Sequence, residues 1–397
     1  MRRIQRIVSG ILLAVLLLTM APAALAADKP VYATKPKASY WNFYKADLHY
    51  FYNQLNTEEK RYFSCLYDAI AFGDVNLWNT ANLWDNNSKI YQELSSREVN
   101  RVVYTIRHDC PELMITFNQI IDMSKNPRVE LLKHSKKIQS YLDGSKKVLN
   151  QIKKRSDWGN STFDHQLAYD RYIVKNCSYL RESTNDVNNQ NNNIRAGYSV
   201  FTTKKAVCEG YARSTQLAMR YYGMHCIFVT GEAGEGHAWN LVKQNGKWYQ
   251  YDPTWQDSDN KQVFADYLPL FNVTDAVMGR THTMDRDAQQ IGFTWPSCNT
   301  NTYDYYKKKG KYLTNDWKKK LAPLINKAKK AGKKAIGIRF SSEKYMDQAL
   351  SYLGNTGKTG FGYELQHKYK FSKALVNKIL KKSFYDKRFL LVYFSWQ

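Results

Sequence analysis

The chain has 397 residues, six cysteines and a formal charge of +24. At this length no disulfide staples are needed to build a core, which excludes the small stapled scaffolds, and two or three domains fit. Cys65, Cys110, Cys177, Cys208, Cys226 and Cys298 contain no C-x-x-C pair, so their spacing points to no zinc site, and no disulfide, metal or cofactor is assigned.

The chain opens on Arg2, Arg3 and Arg6, then an apolar run from Ile7 to Met20, then Ala24-Leu25-Ala26. Basic region, apolar region and A-x-A site describe a secretory signal peptide over 1–26. The apolar run is shorter than the ~20 residues that span a bilayer, so cleavage after Ala26 is expected rather than anchoring. No later stretch is long enough to cross a membrane. The expectation is a secreted protein, with cell-wall association left open.

Residues 27–155 read as mainly helical. Residues 28–39 contain Pro30 and Pro36 and read as a loose leader. Asn56-Thr57-Glu58-Glu59 carries a capping residue with an acid three positions on, followed by Tyr62, Phe63, Leu66, Tyr67 and Ile70 at helical spacing. Helices are also expected over 97–108 and 128–155. Trp41, Phe43, Tyr44, Tyr50 and Phe51 are assigned to packing.

Residues 156–300 hold the candidate chemistry. A helix is expected from Phe163 to Tyr179, then a flexible Asn-rich loop from Asn185 to Asn193. From Cys208 onward, Tyr211, Ala212, Thr215, Met219 and Tyr222 recur at intervals of three and four, and Gly223 is placed to end the helix in a left-handed cap. Cys208 therefore sits at a helix N-terminus, where unpaired N–H groups favour a thiolate. Strands are expected over Cys226–Gly231, His237–Lys243 and Lys247–Asp252. The last two are joined by Asn245-Gly246, a strong hairpin signal.

That hairpin fixes a register. A two-residue turn pairs Gln244 with Lys247, and by extension Trp239 with Asp252 and His237 with Thr254. His237 and Asp252 then share a face as diagonal neighbours, with Cα atoms roughly 7–8 Å apart. Asp252 is placed to orient the imidazole, and His237 to take the Cys208 proton and return it to a leaving group. A one-residue slip would separate them.

The segments Ala206-Val207-Cys208-Glu209-Gly210-Tyr211-Ala212, His237-Ala238-Trp239-Asn240 and Tyr251-Asp252-Pro253-Thr254-Trp255 resemble those of the bacterial transglutaminase-like superfamily. Asp109–Leu113, Leu270–Thr274, Met278 and His282 are similar to elements flanking that core. The resemblance implies an α+β fold: a papain-like core in which a helix carrying the cysteine packs on an antiparallel sheet. It also implies Cys208 as nucleophile, His237 as base and acid, and Asp252 as the orienting carboxylate. An oxyanion donor is expected at the Cys208 N–H. Tyr198 is the candidate for a second, while Trp239 and Trp255 are candidates for the substrate groove. His225 and His282 are assigned no partner.

Residues 301–397 hold 23 Lys/Arg against 6 Asp/Glu, a net of +17. They read as a separate small basic α/β domain. Its strands are expected at Ala335–Phe340 and Phe389–Ser395, and its helices at Lys344–Leu353 and Ser372–Lys382. The lysine runs fit an anionic cell-envelope polymer, while export disfavours nucleic acid. Two functions follow. The first is a thiol-dependent acyl-transfer enzyme on peptide or side-chain amides, with hydrolysis favoured over transamidation. The alternative is a non-catalytic papain-like scaffold that binds a cell-envelope or host polymer.

Overall fold

The computed structural model describes residues 32–74, 76–78, 94–113, 127–154, 159–180, 194–256 and 267–396. The expected signal peptide and the Asn-rich loop lie outside them. Among the described residues no helix is long and apolar enough to cross a membrane. Tyr32–Gln397 is one compact unit of mixed helix and sheet, with two hydrophobic cores inside it.

Local chemistry explains the N-terminal helices. Helix α1 (Thr57–Phe72) starts on a full capping box, with the Asn56 side chain taking the Glu59 N–H and Glu59 taking the Asn56 N–H. Ser95 and Glu98 do the same for α2 (Ser96–Asp109). Helix α3 spans Pro127–Lys153, and α4 (Thr162–Asn176) ends before the expected Tyr179. Residues 37–38 are not a loose leader. Their N–H groups bond to Asp68 at 2.9 Å and Ala38 is buried, because a helix carboxylate offers the acceptor that loop backbone needs.

Helix α5 (Cys208–Tyr221) buries Tyr211, Ala212, Thr215 and Met219, and Gly223 follows it at φ +81°. It packs on an antiparallel sheet of strands β1 (Cys226–Glu232), β2 (Gly236–Gln244), β3 (Lys247–Tyr251) and β4 (Thr283–Met284), in the order β3-β2-β1-β4. The β2–β3 register is the expected one, from Gln244 opposite Lys247 to Asn240 opposite Tyr251. Asn245 and Gly246 take φ of +47° and +78°, as a primed hairpin turn requires. The ladder stops one residue earlier than expected, because the Asp252 N–H leaves the hairpin for the Leu270 carbonyl at 3.1 Å. Asn240 ties sheet to helix, donating to the Ala212 carbonyl at 2.9 Å.

The Arg220 guanidinium anchors the far end of α5. It is fully buried, pairs with Asp109, and donates to the Asp109 and Cys226 carbonyls. Asp109 also accepts the N–H groups of Phe51 and Tyr52. A buried charge survives only when so fully matched, and this one locks the helical region to the sheet through Cys226.

The second core lies in the basic segment. It is built on β5 (Tyr312–Leu313), β6 (Ala335–Phe340), β7 (Phe384–Asp386) and β8 (Leu391–Ser395), in the order β5-β6-β8-β7. Around them lie α6 (Trp317–Lys330), α7 (Glu343–Gly354), α8 (Phe361–His367) and α9 (Lys373–Lys382). Helices α6 and α8 were not expected; the lysine runs masked the apolar stripe of Trp317, Leu321 and Ile325 in α6. The segment is joined to the rest by polar and apolar links. Buried Arg339 pairs with Asp304 at 2.8 Å and donates to the Pro269 carbonyl. Phe389 and Leu391 belong to the first core rather than the second.

Candidate active site

Cys208 is the first residue of α5, half-buried, its side chain against Ala212, Phe228 and Ala238. Gly210 in the first turn is a steric necessity. A Cβ there would stand 2.1 Å from the Ile194 carbonyl oxygen and 2.6 Å from Ser199 Oγ. The loop of residues 194–199 thus lies directly over the start of the helix.

His237 Nε2 donates to Asp252 Oδ2 at 2.9 Å. Cys208 also acts on this ring, adding to the pull that raises the His237 pKa, and with Nε2 committed to Asp252 the ring nitrogen left for the sulfur is Nδ1. The three residues therefore meet. Asp252 is wholly buried and its two oxygens receive four donors. Oδ1 takes the Thr254 and Trp255 N–H groups at 2.8 and 3.3 Å. Oδ2 takes His237 and, at 3.1 Å, Nε2 of His282. His282 Nδ1 in turn accepts from Thr281 Oγ1 at 2.7 Å, which fixes the tautomer.

These contacts set the charges. Burial pulls the His237 pKa down, but the Asp252 charge and hydrogen bond, with the Cys208 bond, outweigh it and push the value up to about 10. Burial pushes Asp252 up, yet the His237 charge and the His237 and His282 hydrogen bonds hold it well below the usual carboxylate range. An imidazolium–carboxylate pair beside the Cys208 sulfur is the result.

Of the other expected residues, Trp255 stands at the site. It is half-buried, with its ring 4.9 Å from that of His282 and 6.4 Å from that of His237. Trp239 does not line a groove. It is 1% exposed, its Nε1 donates to Gln250 at 2.8 Å, and its ring stacks under His237 at 6.1 Å. The strand alternation that puts it on the histidine face also sends it into the core. Tyr198, the candidate for a second oxyanion donor, is buried with its ring stacked on Tyr141 of α3 at 3.7 Å.

Two residues were missed. Tyr179 comes from a short parallel pairing in which it lies opposite Ala206, two residues before Cys208. Tyr179 lies close enough to Cys208 to interact with it, and burial plus the Cys208 charge push its pKa up to about 12. His282 was read as partnerless, yet its side chain is fully buried on Asp252. The ligand atoms of His237, Asp252 and His282 lie within 4.8 Å of one another, close enough to hold a metal ion. The two hydrogen bonds to one carboxylate oxygen account for that spacing without one.

Residues 150–253 match the model of the transglutaminase-like superfamily. Human and mouse kyphoscoliosis peptidase are each 29% identical over 86 residues, a stretch that is 18% of this chain and 13% of theirs. The chain thus spans about an eighth of the length of these relatives. Among solved structures, a TGase aligns with a TM-score of 0.26 and 23% identity over 32% of this chain and 34% of its own. A putative cysteine protease from Cytophaga hutchinsonii aligns with a TM-score of 0.25 and 20% identity over 37% of this chain and 45% of its own. Cys208, Tyr179, His237 and Asp252 all fall inside the matched segment, and residues 150–253 are a domain of the transglutaminase-like superfamily.

Proposed function

We propose that this chain is a thiol-dependent acyl-transfer enzyme that hydrolyses peptide or side-chain amides through Cys208, His237 and Asp252. The observation that carries the reading is one ring: His237 is held by the Asp252 carboxylate at 2.9 Å and its pKa is raised by both Asp252 and Cys208. The Cys208 proton rests on His237, whose raised pKa keeps it there, and the thiolate attacks the amide carbonyl, forming a C–S bond as the carbonyl π pair moves onto oxygen. The Cys208 N–H and the Tyr179 hydroxyl are the donors beside the sulfur that meet the developing oxyanion. His237 returns the proton to the leaving nitrogen as the C–N bond breaks. Water, deprotonated by His237, then cleaves the thioester and releases acid and thiol. Hydrolysis is the outcome we favour over transamidation. The name peptidase borne by the human and mouse relatives supports the same outcome.

Iodoacetamide alkylation of Cys208 across pH, located by peptide mapping, tests this. Rapid reaction well below pH ~8.5, slowed in His237→Ala, is the expected result. A sluggish thiol indifferent to His237 would overturn the enzyme and leave a binding scaffold. Export completes the proposal: the signal-like residues 1–26 make cell-envelope peptides the natural substrate. The secreted protein is expected to begin at Ala27, which N-terminal sequencing checks.

A further inference from the structure

The basic segment has a charge problem that its own residues do not solve. Its six carboxylates are all engaged: Asp304 with Arg339, Asp316 with Lys320, Glu343 with Arg280, Asp347 with Lys387, Glu364 with Lys368 and Asp386 with Arg388. None is left over to balance the net of +17. Such an excess raises a positive potential that collects anions and releases counterions when a polyanion binds.

A cleft of about 730 Å³ opens in this segment, between the start of α6, the end of α7 and the loop leading into α8. Lys318, Lys319, Lys358 and Lys368 line it, with Tyr363 and His367. Asp316 and Glu364 also line it, already in the ion pairs above. The Tyr363 ring is 37% exposed and rests on His367 at 3.8 Å. That is a flat, supported apolar face set among ammonium groups, and it is one of the few large hydrophobic side chains left in solvent.

We propose that this cleft binds an anionic glycan: a polymer whose repeat carries a sugar ring, to lie on Tyr363, and a carboxylate or phosphate, to meet the lysines. A single aromatic platform fits a sugar chain better than single-stranded nucleic acid, which stacks successive bases on successive rings. The inference is independent of the catalytic reading, since none of these residues belongs to the site around Cys208.

The test is fluorescence anisotropy with the full chain. The labelled probes are polygalacturonate, a sugar-bearing polyol phosphate, inorganic polyphosphate and oligothymidylate. One or both glycans are expected to bind at 50 mM salt, the tighter one identifying the anion, with affinity falling about tenfold or more by 200 mM. The exposed-residue variant Lys318→Glu/Lys319→Glu/Lys358→Glu is expected to lose at least about tenfold of that affinity. Tyr363→Ala is expected to weaken glycan binding several-fold while sparing polyphosphate. Oligothymidylate binding tighter than either glycan, no glycan binding at 50 mM salt, or affinity unchanged in the triple variant would overturn the proposal. Equal effects of Tyr363→Ala on glycan and polyphosphate would overturn the sugar platform. Because these side chains are exposed, the variants are expected to melt like the parent, which a thermal scan checks.

Discussion

Asp252 receives four donors on two oxygens, two from its own turn and two from histidines. Its charge is thereby fixed, and His237 is held protonated. Replacing Asp252 by Asn keeps the shape and removes the charge. Burial then governs His237, whose pKa is expected to fall from about 10 to 6.5 or below. An NMR titration of the ring reads this, and a value still near 10 would sink the account of the pair. The same shift makes a stability statement. A histidine raised from 6.5 to about 10 contributes stability that is fully present below about pH 6.5 and is lost as pH rises through about 10. Urea midpoints are expected to fall across that window in the parent and to be flatter in His237→Gln. Cys208, His237 and Asp252 were legible because a local turn set the register of two of them. Tyr179 and His282 were not. Each reaches the site through a two-residue strand, too short to leave a periodic signal.

Among elements, the hairpin and the α5 helix were legible from periodicity, a positive-φ turn and a glycine cap. The role of Gly210 was legible only in part. The residue reads as an open helix face, but the structure fills that face with the 194–199 loop, a contact made across sequence and invisible in it. Gly210→Ala is therefore expected to destabilise by about 2–4 kcal/mol, since backbone rather than a movable side chain occupies the space. Denaturant unfolding measures it. A change under ~0.5 kcal/mol would mean the loop yields freely and does not brace the nucleophile. Helix α6 escaped the sequence for the opposite reason. Lys318, Lys319, Lys320, Lys327, Lys329 and Lys330 dominate its composition, while the buried stripe that makes it a helix is narrow.

For the molecule as a whole, charge drew a boundary near residue 300 that packing does not respect. The Phe389 ring meets Trp255 at 5.8 Å, edge to face, and Trp255 meets His282. Leu390, at φ +55°, turns the chain sharply so that Phe389 enters the first core while Leu390 itself enters the second. A bulky side chain in that region is strained, and surrounding packing must hold it there. Phe389→Ala is expected to cost about 3–5 kcal/mol and to loosen Trp255, seen as a red-shifted and more quenchable indole emission. Unchanged stability and emission would return the basic segment to the status of an appendage. This arrangement also bears on biosynthesis. Cys208, His237 and Asp252 leave the ribosome long before Phe389 does. At 5–20 residues per second the interval is on the order of ten seconds. During that time the nascent chain carries Cys208, His237 and Asp252 without the Phe389 ring against Trp255.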